Sequence, residues 1–551
     1  MCHHCEDRLE DTVEHKESAC SAWAEHHCVP RNVIEDGNLS RPVLVRAIMR
    51  IEEDWDAVSS LSPDRIMDQK CIIDLFSNQL LIDTLSTLDG ERIPERVVTA
   101  KGTGAFGYFE VTHDISKYTY AAVFNGVGKK TPVVVRFAKA FQNKGGSELV
   151  RDIKTMAVKF YTEEGNLDIL ALSIPVFAFK YPITTRDMNH AFMRNPQTNM
   201  YDLTSLYDLV TLRPVFGQAL FWLMSDYGMP NGYRRMDTFP IHTYELSNRH
   251  GERHYVRFNF RTELGFSYLT TAEAAAIQAL DLDYFTRDLY NAIDSRQYPA
   301  WKLEMDVMSL HDIEKVDYNP FDVTRLWKNG TFYTVPIGRL VLNRNVKNHF
   351  RDIEQAAFNP ANLVPGIPGP VDYLFRGKSI IYRDAQNYRL GRNHNNILVN
   401  KPLYAKTYVR DGRPPISLNM RNAPNYYPNS FHGPVPYVDE KRPWKKLRVL
   451  ESNAIDLAPM WHFYNYILED EAHRQRFIAN IVLTLVPVTP PVVQRVMKLL
   501  HLVDQGLSER VKAGYEAALT AQQAAALASP PPAIPSRRVP SAQNYPKHDT
   551  K

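Results

Sequence analysis

Arginines and a tyrosine set inside apolar runs are the residues of this chain with most chemistry to offer. Arg136 lies within Val133–Phe137, Arg96 directly precedes Val97-Val98, and Tyr382 follows Ile380-Ile381. A charge carried into such a run needs a buried partner, because an unpaired ion in an interior is costly. On pattern alone, an internal arginine–carboxylate pair is the simpler expectation. A second candidate, Gly102-Thr103-Gly104-Ala105-Phe106-Gly107, has the GxGxxG spacing of a dinucleotide loop. The Tyr108-Phe109-Glu110-Val111 that follows reads as strand rather than helix, so the supporting context is missing and nucleotide binding is disfavoured. A third is Cys2-His3-His4-Cys5 with His26, His27 and Cys28. Its spacing matches no standard zinc knuckle and it is terminal, so a solvated arm with free thiols is expected.

These residues need elements to hold them. At 551 residues the chain is long enough for one large domain with appendages. Its 44% hydrophobic and 23% charged residues are those of a globular protein. Lys+Arg 65 against Asp+Glu 62 leaves a formal +3, which excludes a nucleic-acid binder on bulk charge. No apolar run is long enough for a membrane span. The best candidate, Ile478–Val488, is interrupted by Asn480 and Thr484 and closed by Pro490-Pro491, so a buried helix is expected. The acidic, histidine-rich start does not read as a secretory signal, and five unevenly placed cysteines suit a reducing compartment. An intracellular location, cytoplasmic or peroxisomal, is the expectation, although Asp549-Thr550-Lys551 is not a Ser-Lys-Leu address.

Residues 71–88 carry apolar positions at near-helical spacing. From Val97 to about Leu342, short β-rich runs such as Thr131–Phe137, Met156–Tyr161 and His254–Phe260 are separated by turn residues. Helical inserts are expected at 203–226 and 271–293. Strands in one long block predict a barrel with inserted helices. From Arg344 to Asn453 periodicity fades, and so long an irregular segment must wrap on another surface or subunit. Residues 460–507 return to helix, and the Ala- then Pro-rich end reads as a disordered tail.

Eight blocks, in order and at nearly constant spacing, resemble the heme catalase family. They are 96–111 (RVVTAKGTGAFGYFEV), 135–137 (VRF), 156–168 (MAVKFYTEEGNLD), 194–198 (RNPQT), 287–293 (RDLYNAI), 319–323 (NPFDV), 338–345 (GRLVLNRN) and 422–431 (NAPNYYPNSF). The resemblance implies an α+β catalase fold: an eight-stranded antiparallel β-barrel, a wrapping segment and C-terminal helices. It divides the chain into an arm with helices at 1–95, the barrel at 96–343, the wrapping segment with the proximal ligand at 344–455, helices at 456–515 and a disordered tail at 516–551. It implies a homotetramer, no nucleic-acid or membrane partner, and heme b bound by iron to Tyr382. Arg96, Arg136 and Arg389 fall where the family pairs the heme propionates, and Val98 and Phe177 where it lines the distal face.

The departures shape the functional expectation. The family's distal histidine, a general acid–base, is replaced here by Thr99, and its peroxide-orienting asparagine by Leu172. The serine supporting that histidine is Ala138, and the arginine that holds the tyrosine ionised is Lys378. A lysine keeps the charge without the planar fork. At the family's NADPH site Tyr227 and Asn329 stand in for an arginine and a histidine, so NADPH binding is not expected. These changes lead us to expect a catalase-like heme oxidoreductase with impaired peroxide dismutation, oxidising a small organic substrate in a biosynthetic pathway. The fungal catalase-like enzymes of ergot alkaloid biosynthesis, which form chanoclavine by oxidative cyclisation, give the precedent. Two alternatives are an ordinary catalase decomposing hydrogen peroxide to water and oxygen, and a non-catalytic heme-binding protein.

Overall fold

A computed structural model of the chain describes residues 79–141, 143–404, 409–416, 424–433, 449 and 454–528. The Cys/His-rich start, Cys71 and the residues after 528 lie outside the described residues. The chain divides into two units, 1–93 and 94–551. The first contains the helix Gln79–Thr87, inside the stretch of helical spacing. All that follows concerns the second.

Eight strands form one antiparallel sheet: β1 Gly102–Val111, β2 Lys130–Lys139, β3 Lys154–Thr162, β4 Gly165–Leu172, β5 Tyr244–Ser247, β6 Arg253–Thr262, β7 Ala300–Ser309 and β8 Tyr333–Asn345. Their order is β4-β3-β2-β1-β8-β7-β6-β5. The sheet curls into a half-barrel. Leu172 at the end of β4 pairs with Phe239, and the adjacent Thr238 pairs with Phe260 of β6, so two residues link distant strands. Strand alternation explains the inside: Val133, Val135 and Phe137 of β2, Met156, Val158 and Phe160 of β3, and Leu167, Ile169 and Ala171 of β4 fill one dry core.

The glycine-rich run is part of β1, and its glycines serve close packing rather than a phosphate. A Cβ on Gly102 would stand 2.8 Å from the Arg136 guanidinium, and one on Gly104 would stand 2.5 Å from Ile353. Outside the barrel, Lys159 of β3 makes a fully buried ion pair with Asp168 of β4 at 2.8 Å. Asp168 also accepts from the Asn359 N–H at 2.9 Å and the Asn362 amide at 2.8 Å, fastening residues 359–362 to the sheet. Asp168→Ala would strand a buried ammonium, so it should cost about 3–5 kcal/mol of unfolding free energy in urea titrations. A loss below 1 kcal/mol would show that the pair is dispensable.

Helices cover the rest. Expected inserts appear as pairs, Leu203–Leu212 with Gly217–Met224, and Thr271–Gln278 with Tyr284–Asp294. The first pair breaks at Pro214, which lacks an N–H to continue a helix. Three helices used below are α1 Thr184–Phe192, α2 Tyr373–Leu390 and α3 Gln505–Ala528. Two corrections follow. The stretch read as irregular contains the 18-residue α2, capped by Asp372 and ended at Gly391 with φ +88°. The tail read as disordered from 516 is helical to Ala528, because Leu507 and Val511 of α3 are buried in the helical core and Tyr515 and Ala518 pack against it.

Candidate functional site

One patch of the outer sheet face is unlike the rest. Directly opposed residues of antiparallel strands share a face. Ala138, Thr155 and Leu172 therefore form one row across β2, β3 and β4, and Arg136, Ala157 and Leu170 form the next. Thr155, Ala157, Leu170 and Leu172 are half-buried, while Met156, Val158, Ile169 and Ala171 on the opposite face are fully buried. The result is a shallow floor of small and apolar side chains, suited to a flat apolar ligand.

Helix α2 is fastened to this side at two points. The Lys378 ammonium lies 4.3 Å from the centre of the Phe177 ring. Eleven residues on, Arg389 donates to the Glu354 carboxylate at 2.8 Å and to the Pro94 carbonyl at 2.9 Å. Tyr382 is one turn after Lys378 and seven residues before Arg389, so all three share a helix face. The phenol therefore sits between the two anchors. Burial pushes it up to about 12.

Three arginines from distant segments meet at Glu354, which ends the wide turn Phe350–Glu354. Arg96 lies 3.4 Å from that carboxylate and donates to the carbonyls of Ile353, Glu354 and Ala356 at 3.2, 2.8 and 3.0 Å. Arg136 donates to the carbonyls of Thr99 at 2.8 Å and Ala100 at 3.2 Å. The expected arginine–carboxylate pair thus exists for Arg96 and Arg389, while Arg136 hydrogen-bonds only to backbone. Desolvation, then repulsion from Arg136 and Arg389, holds Arg96 well below the usual arginine range. Burial likewise brings Arg136 down to about 10. Nη1 of Arg96, Nε of Arg136 and Nη1 of Arg389 are buried without a hydrogen-bond partner. With the Lys144 ammonium 3.6 Å from the same carboxylate, four cations surround one anion and positive charge is in excess. A ligand bearing carboxylates would answer the orphaned donors.

Thr99 is held in a left-handed backbone conformation, φ +61°. Its N–H donates to the Ala140 carbonyl at 2.8 Å while its own carbonyl accepts from Arg136. A β-branched residue is a strained choice there. Leu172 is fixed through its backbone by Phe239, and Val98 and Phe177 are half-buried. The Lys378 ammonium meets His242 Nε2 at 3.4 Å and lies over the Phe177 ring. His242 in turn bonds Asp372 at 3.0 Å, the residue that caps α2.

Burial lowers Lys378 from 10.5 to about 8, against the attraction of Asp372. Between those values the unfolded chain binds more protons than the folded one, so this contribution to stability rises with pH. Lys378→Met should therefore be more stable than the parent at pH 7, with the gap closing toward pH 10 in urea unfolding. A gap that stays constant across this range would contradict it.

The reading of sequence missed Glu354, His242 and Asp372, along with Thr155, Ala157 and Leu170 of the floor. Among the described residues no cluster of His, Cys, Asp and Glu could hold a metal ion, and no helix is long and apolar enough to cross a membrane.

The curled antiparallel sheet thus carries an apolar floor, with the half-buried Tyr382 of α2 and three arginines beside it. The catalase family model matches residues 66–433, and the chain belongs to that family. It is an oxidoreductase family whose membership implies heme. The chain is 40% identical over 444 residues to the catalase of Methanosarcina barkeri, covering 79% of this chain and 88% of that one. It is 42% identical over 362 residues to the Sus scrofa catalase, covering 65% and 69%. Catalase A from Saccharomyces cerevisiae superposes with a TM-score of 0.75 at 34% identity, covering 80% of this chain and 93% of that structure.

Proposed function

We propose that the chain is a heme oxidoreductase in which dismutation of hydrogen peroxide is weakened and a small organic molecule is oxidised instead, in a biosynthetic pathway. The observation that carries this reading is the distal side: Thr99, Leu172 and Ala138 offer no base and no amide to peroxide. Heme b fits the residues present. Its two carboxylates answer the orphaned nitrogens of Arg96, Arg136 and Arg389. Tyr382 of α2 would supply the ligand to the iron, and Val98 and Phe177 would line the pocket. When bound, the heme iron supplies the redox centre at which peroxide is reduced. The protein's share is to fix the macrocycle by its carboxylates, hold the phenol, and decide what else reaches the iron.

Dismutation uses a second peroxide as electron donor and releases oxygen. Here the organic donor gives up two electrons and two protons, and one peroxide becomes two waters. An oxidative cyclisation of chanoclavine type is the finer assignment, resting on the resemblance to the ergot enzymes. The catalase names of the relatives favour the second reading, ordinary decomposition of hydrogen peroxide. NADPH plays no part in the proposal: Tyr227 stacks on Phe266 at 4.7 Å and meets Trp222 edge-on at 4.9 Å, filling the place of the missing arginine. The assembly is a homotetramer in the cytoplasm or peroxisome, and Tyr373, Ile380 and Tyr388 form an exposed apolar stripe on α2 that a neighbour would cover. The test supplies heme-loaded protein with peroxide and a phenolic donor. Donor oxidation without matching oxygen release supports the reading; oxygen release that ignores the donor supports an ordinary catalase.

A further inference from the structure

Thr99 combines two features that a merely structural residue would not show together. At φ +61° a β-branched side chain is strained, where glycine or asparagine would sit at less cost. Nothing in the fold explains that strain through the side chain. The hydrogen bonds of Thr99 run through its backbone, from its N–H to Ala140 and to its carbonyl from Arg136. Its hydroxyl makes none among the described residues. Nor is that oxygen sealed like the orphaned nitrogens of the cage, because the residue is half-buried and open on one side. Strain kept at a site position is a pointer to a functional side chain.

The frame around Thr99 is rigid. Beyond the Gly102–Ala138 pair that opens β1, the Lys139 N–H donates to the Lys101 carbonyl at 3.3 Å, so residues 99–101 run on beside the end of β2. Ala138 shares its row with Thr155 and Leu172, which places Thr99 at the β1 margin of the apolar floor. Phe141, next to Ala140, gives its N–H to Asp152 at 2.8 Å and lays its ring flat on Phe192 of α1, with centroids 3.8 Å apart. The hydroxyl is therefore carried at a fixed point beside apolar surface. Thr155, the other hydroxyl of these rows, donates to the Ala138 carbonyl at 3.2 Å and has no proton left to give.

We infer that Thr99 is a specificity-determining residue whose hydroxyl donates a hydrogen bond to an oxygen or nitrogen acceptor of an organic substrate, with the substrate's apolar body beside Ala138 and Leu172. A hydroxyl proton with no partner in an apolar setting gains from one such bond, and the fixed backbone sets where the acceptor must sit. The substrate class is then an apolar molecule bearing a carbonyl, ether or imine acceptor. This rests on the organic-oxidation reading. Binding is measured without peroxide, so its failure is distinct from the oxygen measurement that decides that reading.

Heme-loaded protein is titrated calorimetrically with cyclohexanone and methylenecyclohexane, which share one ring and differ in the acceptor. The quantity read is the ratio of the two affinities. Thr99→Val keeps the shape and the strain but loses the proton, so the ratio should fall roughly three- to tenfold against the ketone, the worth of one hydrogen bond. Thr99→Ser keeps the donor and should hold the ratio within about twofold of the parent. The melting temperature of Thr99→Val should stay level or rise, because no internal hydrogen bond is lost. A hydroxyl that braced the fold would lower it. Thr99→Ala serves the binding test if the valine variant does not load heme. No measurable binding of either probe to the parent, an unchanged ratio in both Thr99→Val and Thr99→Ala, a ratio in Thr99→Ser as low as in Thr99→Val, or a lowered melting temperature in Thr99→Val would each overturn the assignment.

Discussion

Thr99→His combined with Leu172→Asn should raise the rate of oxygen release from peroxide by roughly a hundredfold over the unmodified protein, the lower end of what a positioned general base contributes. The backbone favours this exchange. Position 99 is left-handed at φ +61°, where histidine is better tolerated than a β-branched residue. Its N–H and carbonyl are pinned by Ala140 and Arg136, so a new imidazole would start from a fixed point. Leu172 is fixed by Phe239 on the half-buried floor, opposite Thr155, so an amide there would reach the same space. Full catalase rates are not expected, because Ala138 and Lys378 still differ. The same pair should slow organic oxidation by placing two polar groups in an apolar pocket. A double variant with unchanged oxygen release would show that the missing base is not what limits the reaction.

Tyr382→Phe should weaken heme retention by roughly tenfold or more, or about 1.4 kcal/mol, and abolish the phenolate-to-iron absorption of the loaded protein. Desolvation raises the phenol, and Lys378 meets His242 and Phe177. A bound iron would favour the ionised form. The arginine cage does not depend on the phenol, so residual heme should still occupy the site with an altered spectrum. Full heme occupancy with an unchanged spectrum would rule out Tyr382 as the ligand.

Much of this site was legible in the sequence because charges in apolar runs are rare. Arg96 and Arg136 stood out for that reason, and both prove to be buried cations with unmet donors. Their shared carboxylate was not legible, since Glu354 sits in an ordinary-looking turn and acts only through tertiary contact. Helix α2 was hidden by an inverted pattern. Its polar Lys378, Tyr382, Gln386 and Arg389 turn inward while Tyr373, Ile380 and Tyr388 face outward, so no amphipathic stripe of the usual sense exists. His242 and Asp372 gave no signal because their partnership with Lys378 joins residues 130 or more apart for the histidine. The barrel was legible where strands alternate, and the glycines of β1 misled only by matching a loop motif. The helix was expected to stop at 515 because the alanine-rich sequence from 516 was read as unable to bury anything, whereas Ala518 packs on the helical core and α3 runs on to Ala528.

The central claim is that Thr99 and Leu172 leave this site poor at moving a proton between the two oxygens of peroxide. Oxygen evolution per heme, measured on the unmodified heme-loaded protein beside an ordinary catalase at equal peroxide, tests it most directly. The account predicts a rate lower by at least about two orders of magnitude. Oxygen release at the level of the ordinary catalase would contradict it and return the chain to the ordinary catalases.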